Sequence, residues 1–151
     1  MPPASPALGL AHITDVHGRL LMPKGADGGW RLPGGPALPE ESARNAMTYH
    51  VRRDLRLRVE PRFLLGVEPV PGTASTAYLF ACETLDADDI ARIRLPEGAA
   101  RSTVVALAFV DYPGLTEGVS PHEHRLIAEA GAALLRRARP DRPASAGGSQ
   151  D

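Results

Sequence analysis

Lysine is almost missing from this chain, where Lys24 stands alone beside sixteen arginines and the formal net charge is −1. No basic field exists that could hold a nucleic-acid backbone by charge, so nucleic acid is not expected as a partner. Cysteine is nearly missing too. Cys82 cannot form an internal disulfide, and its place in the apolar run Tyr78-Leu79-Phe80-Ala81-Cys82 predicts a buried, inert thiol suited to a reducing cytosol. No apolar stretch approaches the roughly 20 residues that cross a bilayer. The opening Met1 to Pro6 has no basic region followed by an apolar one, so neither a membrane span nor a secretion signal is expected. The expected location is the cytoplasm. At 151 residues, 43% apolar and 23% charged, the chain suffices for one hydrophobic core and not comfortably for two.

Pro, Ala, Ser and Gly dominate both ends, which predicts a flexible tail over 1–7, a disordered one over 140–151 and a single domain over 8–139. Leu8 to Thr14 and Arg19 to Met22 flank the turn tetrad Asp15-Val16-His17-Gly18 and predict a hairpin. Trp30 to Leu32 reads as a short strand and Pro33-Gly34-Gly35-Pro36 as a turn, where missing side chains let backbones approach closely. From Ser42 to about Leu55 there is no Gly or Pro, and Ala43, Ala46, Met47, Val51 and Leu55 recur at spacings of three and four. That spacing marks an amphipathic helix, with Ser42 as its N-cap. Phe63 to Val70 and Ser75 to Leu85 predict two core strands around the turn 71–74. Asp86 to Asp89 is a loop that starts a helical turn, Thr103 to Val110 is a strand, and Pro113-Gly114 ends it. The last element is a helix from Ser120-Pro121 to Arg139, with Leu126, Ile127, Ala130, Leu134 and Leu135 on one face. Gly131 within it costs roughly 1 kcal/mol relative to alanine.

Trp30-Arg31-Leu32-Pro33-Gly34-Gly35 leads into a defined spacing: Gly35, five residues, Glu41, seven residues, Tyr49. After it come His50-Val51-Arg52-Arg53-Asp54-Leu55-Arg56-Leu57. In this the segment Trp30 to Leu57 resembles the Nudix box: a glycine, five residues, a glutamate, seven residues, then Arg-Glu-aliphatic-any-Glu-Glu-any-Gly-aliphatic. Val51 and Leu57 match the aliphatic positions, and Glu41-Ser42 resembles the usual helix opening. The resemblance implies an α/β fold, the Nudix α/β/α sandwich with a central mixed sheet, and a magnesium-dependent diphosphohydrolase ancestry.

The chemical half of the box departs from that pattern. Nudix acids on this helix bind divalent cations that bridge a diphosphate and help activate water. Residues 50, 53 and 54 share one helical face, where carboxylates would converge on one cluster. Here the face carries His50, Arg53 and Asp54, and the pattern's net charge of −2 over 49, 50, 53 and 54 becomes zero with neutral histidine. A guanidinium a few ångströms from magnesium is repelled by several kcal/mol at an effective dielectric of about 20. Only Glu41 and Asp54 remain as helix acids. The strand Thr103 to Val110, from which Nudix enzymes often supply a further glutamate, is apolar apart from Thr103. The ordinary reading of Arg53 is a surface pair with Asp54, Glu41 or Glu40, of little energetic consequence. The functional reading is that Arg53, with Arg52, His50 and Tyr49, binds an anionic ligand directly, since a guanidinium bonds phosphate or carboxylate in bidentate fashion. Gly34 and Gly35 would then present backbone N–H groups beside it.

The remaining candidates are weaker. Residues two apart on a helix point about 200° apart, so His122 and His124 do not easily meet one ion. His12 and His17 beside the first turn, and Trp30 before the glycines, have ordinary structural readings. Asp86, Asp88 and Asp89 lack the glycine and glutamate of a calcium loop. No serine has a nucleophile elbow. The leading expectation is a Nudix-like domain that binds a small nucleotide- or diphosphate-type ligand through Gly34, Gly35, Tyr49, His50 and Arg53, without ordinary magnesium-dependent hydrolysis. One alternative is a divergent hydrolase in which Glu41 and Asp54 are catalytic and weakly hold Mg²⁺ or Mn²⁺. The second is a protein-interaction module with a vestigial cleft. Neither nucleic acid nor membrane is an expected partner, and a homodimer is left open.

Overall fold

The computed structural model describes residues 6–25, 28–95, 104–111 and 119–138. In chain order the elements are β1 (Ala7–His12), β2 (Leu20–Gly25), β3 (Gly34–Pro36), α1 (Ala43–Leu55), β4 (Phe63–Pro69), β5 (Thr76–Ala81), α2 (Ala87–Ala91), β6 (Val104–Val110) and α3 (Pro121–Ala138). Four strands form a mixed sheet in the order β3-β1-β5-β4, in which β1 and β5 are parallel and the outer pairs antiparallel. β2 and β6 form a separate antiparallel pair.

Strand alternation sorts the core into two layers. Leu10 of β1, Leu20 and Met22 of β2 and Leu79 of β5 pack with Leu126, Ile127 and Ala130 of α3. Their neighbours Ala11, Leu21 and Phe80 pack on the other side with Met47, Val51 and Leu55 of α1. A sheet apolar on both faces demands a helix over each, and the result is an α/β/α sandwich. Burial of each large side chain contributes roughly 2 kcal/mol.

Helix α1 begins where its sequence signal says: the Ser42 hydroxyl accepts the Asn45 N–H at 3.0 Å. It ends at Arg56, held at φ 55° with its N–H on the Arg52 carbonyl. Glycine decides how closely α1 sits on the sheet, because a Cβ on Gly9 would lie 2.0 Å from the Ala43 carbonyl oxygen. At the other end of the sheet, α2 carries a reciprocal capping box between Asp86 and Asp89. None of the described helices is long and apolar enough to cross a membrane.

Four expectations are corrected. The turn at Asp15 forms, its carboxylate accepting the His17 and Arg19 N–H groups and the Arg19 Nε, but the hairpin is confined to Ile13 through Leu21. Beyond it β1 pairs with β3 and β5, and β2 leaves for β6, because both flanks are apolar on both faces and neither has to pair with the other. Pro33-Gly34-Gly35-Pro36 is not a turn: Gly34–Pro36 is a strand against Leu8–Leu10. Gly34 holds φ 133°, and a Cβ there would meet the Gly9 carbonyl oxygen at 2.0 Å. Leu135 leaves the buried face of α3 and is 71% exposed. The first strand opens at Ala7, inside the expected tail, whereas 140–151 and Pro113-Gly114 lie outside the described residues.

Candidate functional site

Where β3, the start of β1 and the second half of α1 meet, they enclose a cleft of about 390 Å³. Gly34, Gly35, His50, Arg53 and Asp54 all line it. His50 is buried, its Nε2 bonded to the Pro36 carbonyl at 2.8 Å and its Nδ1 without a partner. Its ring lies where a Cβ on Gly35 would be, 2.7 Å from the ring carbons. The second glycine of the pair therefore makes room for an imidazole.

Asp54 is buried, and its Oδ1 accepts the Arg53 Nε at 3.0 Å. That bond is the main cause that raises the Arg53 pKa above its usual value and holds the guanidinium in its charged form. The Arg53 guanidinium also lies 5.7 Å from the Tyr49 ring, which meets the His50 ring edge-on at 5.2 Å. Arg53 lines a second, shallower hollow of about 310 Å³ together with Tyr49, Arg52 and Arg56. Three arginines thus surround one opening beside the cleft, at the helix end where cations are favoured.

Glu41 is placed elsewhere. Its Oε1 accepts the Leu38 N–H at 2.8 Å and closes its own loop, and it does not line the cleft. Glu123, at the start of α3, does line it. It is buried, accepts the Leu32 N–H at 3.1 Å, and desolvation pushes its pKa up to about 7 against the pull of that bond and of Arg31. Metal-ligand spacing in the sequence does not single out Glu123, because it sits between His122 and His124, which point apart on the helix. The available signal was different: Glu123 lies three and four residues before buried Leu126 and Ile127, an acid on an apolar face.

No family model matches the chain, and no curated protein does. Solved structures do. A MutT protein from Methanosarcina mazei Go1 superposes at a TM-score of 0.70 with 16% identity, covering 92% of this chain and 99% of the other. An ADP-ribose pyrophosphatase from Streptococcus suis 89-1591 gives 0.63 at 17% identity, over 91% and 96%. A MutT Nudix hydrolase from Burkholderia pseudomallei gives 0.64 at 20% identity, over 85% and 98%. This domain has the Nudix fold.

The segment that resembles the Nudix box lies on α1 and the residues flanking it. Arg56 stands where the pattern has glycine, and its φ of 55° is the left-handed conformation that glycine adopts without cost. Val51 and Leu57 are buried, as the aliphatic positions require. The donor set does not fit the Nudix magnesium cluster. Magnesium needs several oxygen ligands around one point, whereas Asp54 is tied to Arg53, Glu41 to Leu38 and His50 to Pro36. Among the described residues no group of three His, Cys, Asp or Glu side chains converges as a metal site.

Proposed function

We propose that this Nudix-fold domain binds a small anionic ligand of the nucleotide or diphosphate type directly, through arginine, and that it acts as a binding, regulatory or accessory protein. The observation that carries the reading is the Arg53–Asp54 bond of 3.0 Å. It holds a guanidinium at the border between the cleft and the arginine-lined hollow, where the family places metal-binding acids. Arg52 and Arg56 add positive charge on the outer side. A diphosphate spanning this border would meet fixed cations instead of a metal, with charge-assisted hydrogen bonds as the source of affinity. Phosphate-bearing ligands are also consistent with the ADP-ribose pyrophosphatase among the structural neighbours.

Calorimetric titration with ADP-ribose and with inorganic pyrophosphate in the presence of EDTA tests this. Binding should persist without metal and fall by at least about tenfold in Arg53→Ala. Binding that requires Mg²⁺ would sink the reading. One observation favours a second reading, a slow or altered phosphohydrolase: Glu123 and Asp54 line the same cleft, and an acid with a pKa near 7 is suited to proton transfer. Diphosphate cleavage with Mg²⁺ or Mn²⁺ that disappears in both Asp54→Ala and Glu123→Gln would establish that reading in place of the first.

A further inference from the structure

Parallel strands β1 and β5 finish together at the end of the sheet remote from the cleft, beside the start of β4. There a cavity of about 640 Å³ opens under the second half of α3. It shares no lining residue with the cleft. Its volume is in the range of sites for small organic molecules.

The inner wall carries no charge at neutral pH. Burial lowers the His12 pKa to about 4 and raises that of the Cys82 thiol to about 12, so both stay neutral. Thr14 and Thr84 add two hydroxyls 3.5 Å apart. Phe63, Leu134 and Leu135 supply the apolar surface, with Leu135 exposed at the rim. Gly131, also on the wall, is an interior helix glycine, which costs roughly 1 kcal/mol relative to alanine. The mouth, by contrast, is basic. Arg62 lines it, and the Arg137 guanidinium stands 3.8 Å from the Phe63 ring centroid. Glu83 and Arg44 both act electrostatically on Cys82 and offset one another.

We propose that this second cavity is a binding site for a small aromatic or aliphatic acid, its apolar body between Phe63, Leu134 and Leu135 and its acidic group at Arg62. An apolar interior with a cationic rim selects such a molecule over a nucleotide, whose several charges and polar sugar would be desolvated without partners.

The probe is 1-anilinonaphthalene-8-sulfonate, an aromatic anion, titrated into the full chain. Fluorescence should saturate at one probe per chain, with amide shifts in ¹⁵N spectra at Gly18, Cys82, Thr84 and Gly131. Gly131→Leu should weaken binding by at least about tenfold, and Arg62→Ala by about fivefold. The uncharged analogue N-phenyl-1-naphthylamine should bind wild type and Arg62→Ala alike. Arg53→Ala should leave the anionic probe's affinity unchanged, which separates this site from the cleft. Binding that does not saturate, shifts centred on the cleft, or unaltered affinity in Gly131→Leu would overturn the proposal. So would a dimer that Leu135→Asp dissociates and whose formation expels the probe, since the groove would then seat a second copy. The amide map uses the unaltered chain and decides the matter even where Gly131→Leu does not fold.

Discussion

The two cavities of this sheet differ in where they keep their charge. In the cleft at β3, ionisable groups line the inside: Arg53, Asp54 and Glu123. In the cavity under α3 the inside is neutral and the arginine stands at the mouth. Burial has also shifted the protonation equilibrium of Glu123 in the first and, beside Cys82, that of His12 in the second. Desolvation disfavours the charged form in both, which makes one a stronger proton holder and the other a weaker one. The lesson is that one core, built by one alternation of apolar residues, offers two environments whose ligands are set by a handful of polar positions.

The contrast breaks most completely at Gly9, which seats α1 on β1 and so builds the charged end. Gly9→Ala places a methyl 2.0 Å from the Ala43 carbonyl oxygen and should cost about 4 kcal/mol, read from urea unfolding. Next in size is the pH dependence, where the two ends act with opposite sign. Glu123, raised from 4.5 to about 7, contributes stability that is complete below pH 4.5 and lost as pH rises through 7. His12, lowered from 6.5 to about 4, contributes stability that is complete above pH 6.5 and lost as pH falls through 4. Each effect amounts to about 3 kcal/mol, and between pH 4.5 and 6.5 they largely cancel. Glu123→Gln should therefore leave a protein whose stability rises with pH across that window, and His12→Gln one whose stability falls. Unfolding midpoints at pH 5 and pH 7 that move in the same direction for both variants would remove the contrast.

Smaller changes sharpen it. Arg53→Ala strips the partner from a buried carboxylate and should cost about 1 kcal/mol at pH 7 beside its effect on anion binding, with the pair's exposed half limiting the loss. Arg56→Gly should raise stability by about 1 kcal/mol by relieving the left-handed residue, measurable as a higher melting temperature. Gain of stability together with loss of anion affinity in Arg56→Gly would place that arginine in the binding surface.

Elements whose signals are local were legible. The three-and-four spacing and the Ser42 cap located α1, aromatic and β-branched runs located β4 and β5, and the Asp86-to-Asp89 loop became a capped turn of helix. Of the residues the box spacing singles out, Gly34, Gly35, His50, Arg53 and Asp54 line the cleft, whereas Tyr49 lines only the neighbouring hollow and Glu41 neither. Strand partnership was not legible, because β1 hydrogen-bonds to β5 across the whole of α1 and β4, and no local signal separates that partner from the adjacent β2. Glu41 illustrates the same limit at a single side chain: spacing puts it in the box, while its hydrogen bond to Leu38 turns it into its own loop.

By itself the sequence determined the apolar alternation of the strands, the face and N-cap of α1, and the neutralised charge at 49 to 54, since each depends only on residues within a few turns of one another. The tertiary structure alone decided that Glu123 would cross 91 residues to reach the Leu32 amide and that Glu41 would stay out of the cleft. It also decided that β1 and β5 would end beside a cavity under α3. Those outcomes depend on which surfaces are left to bury once the sheet is assembled, and that is a property of the whole chain.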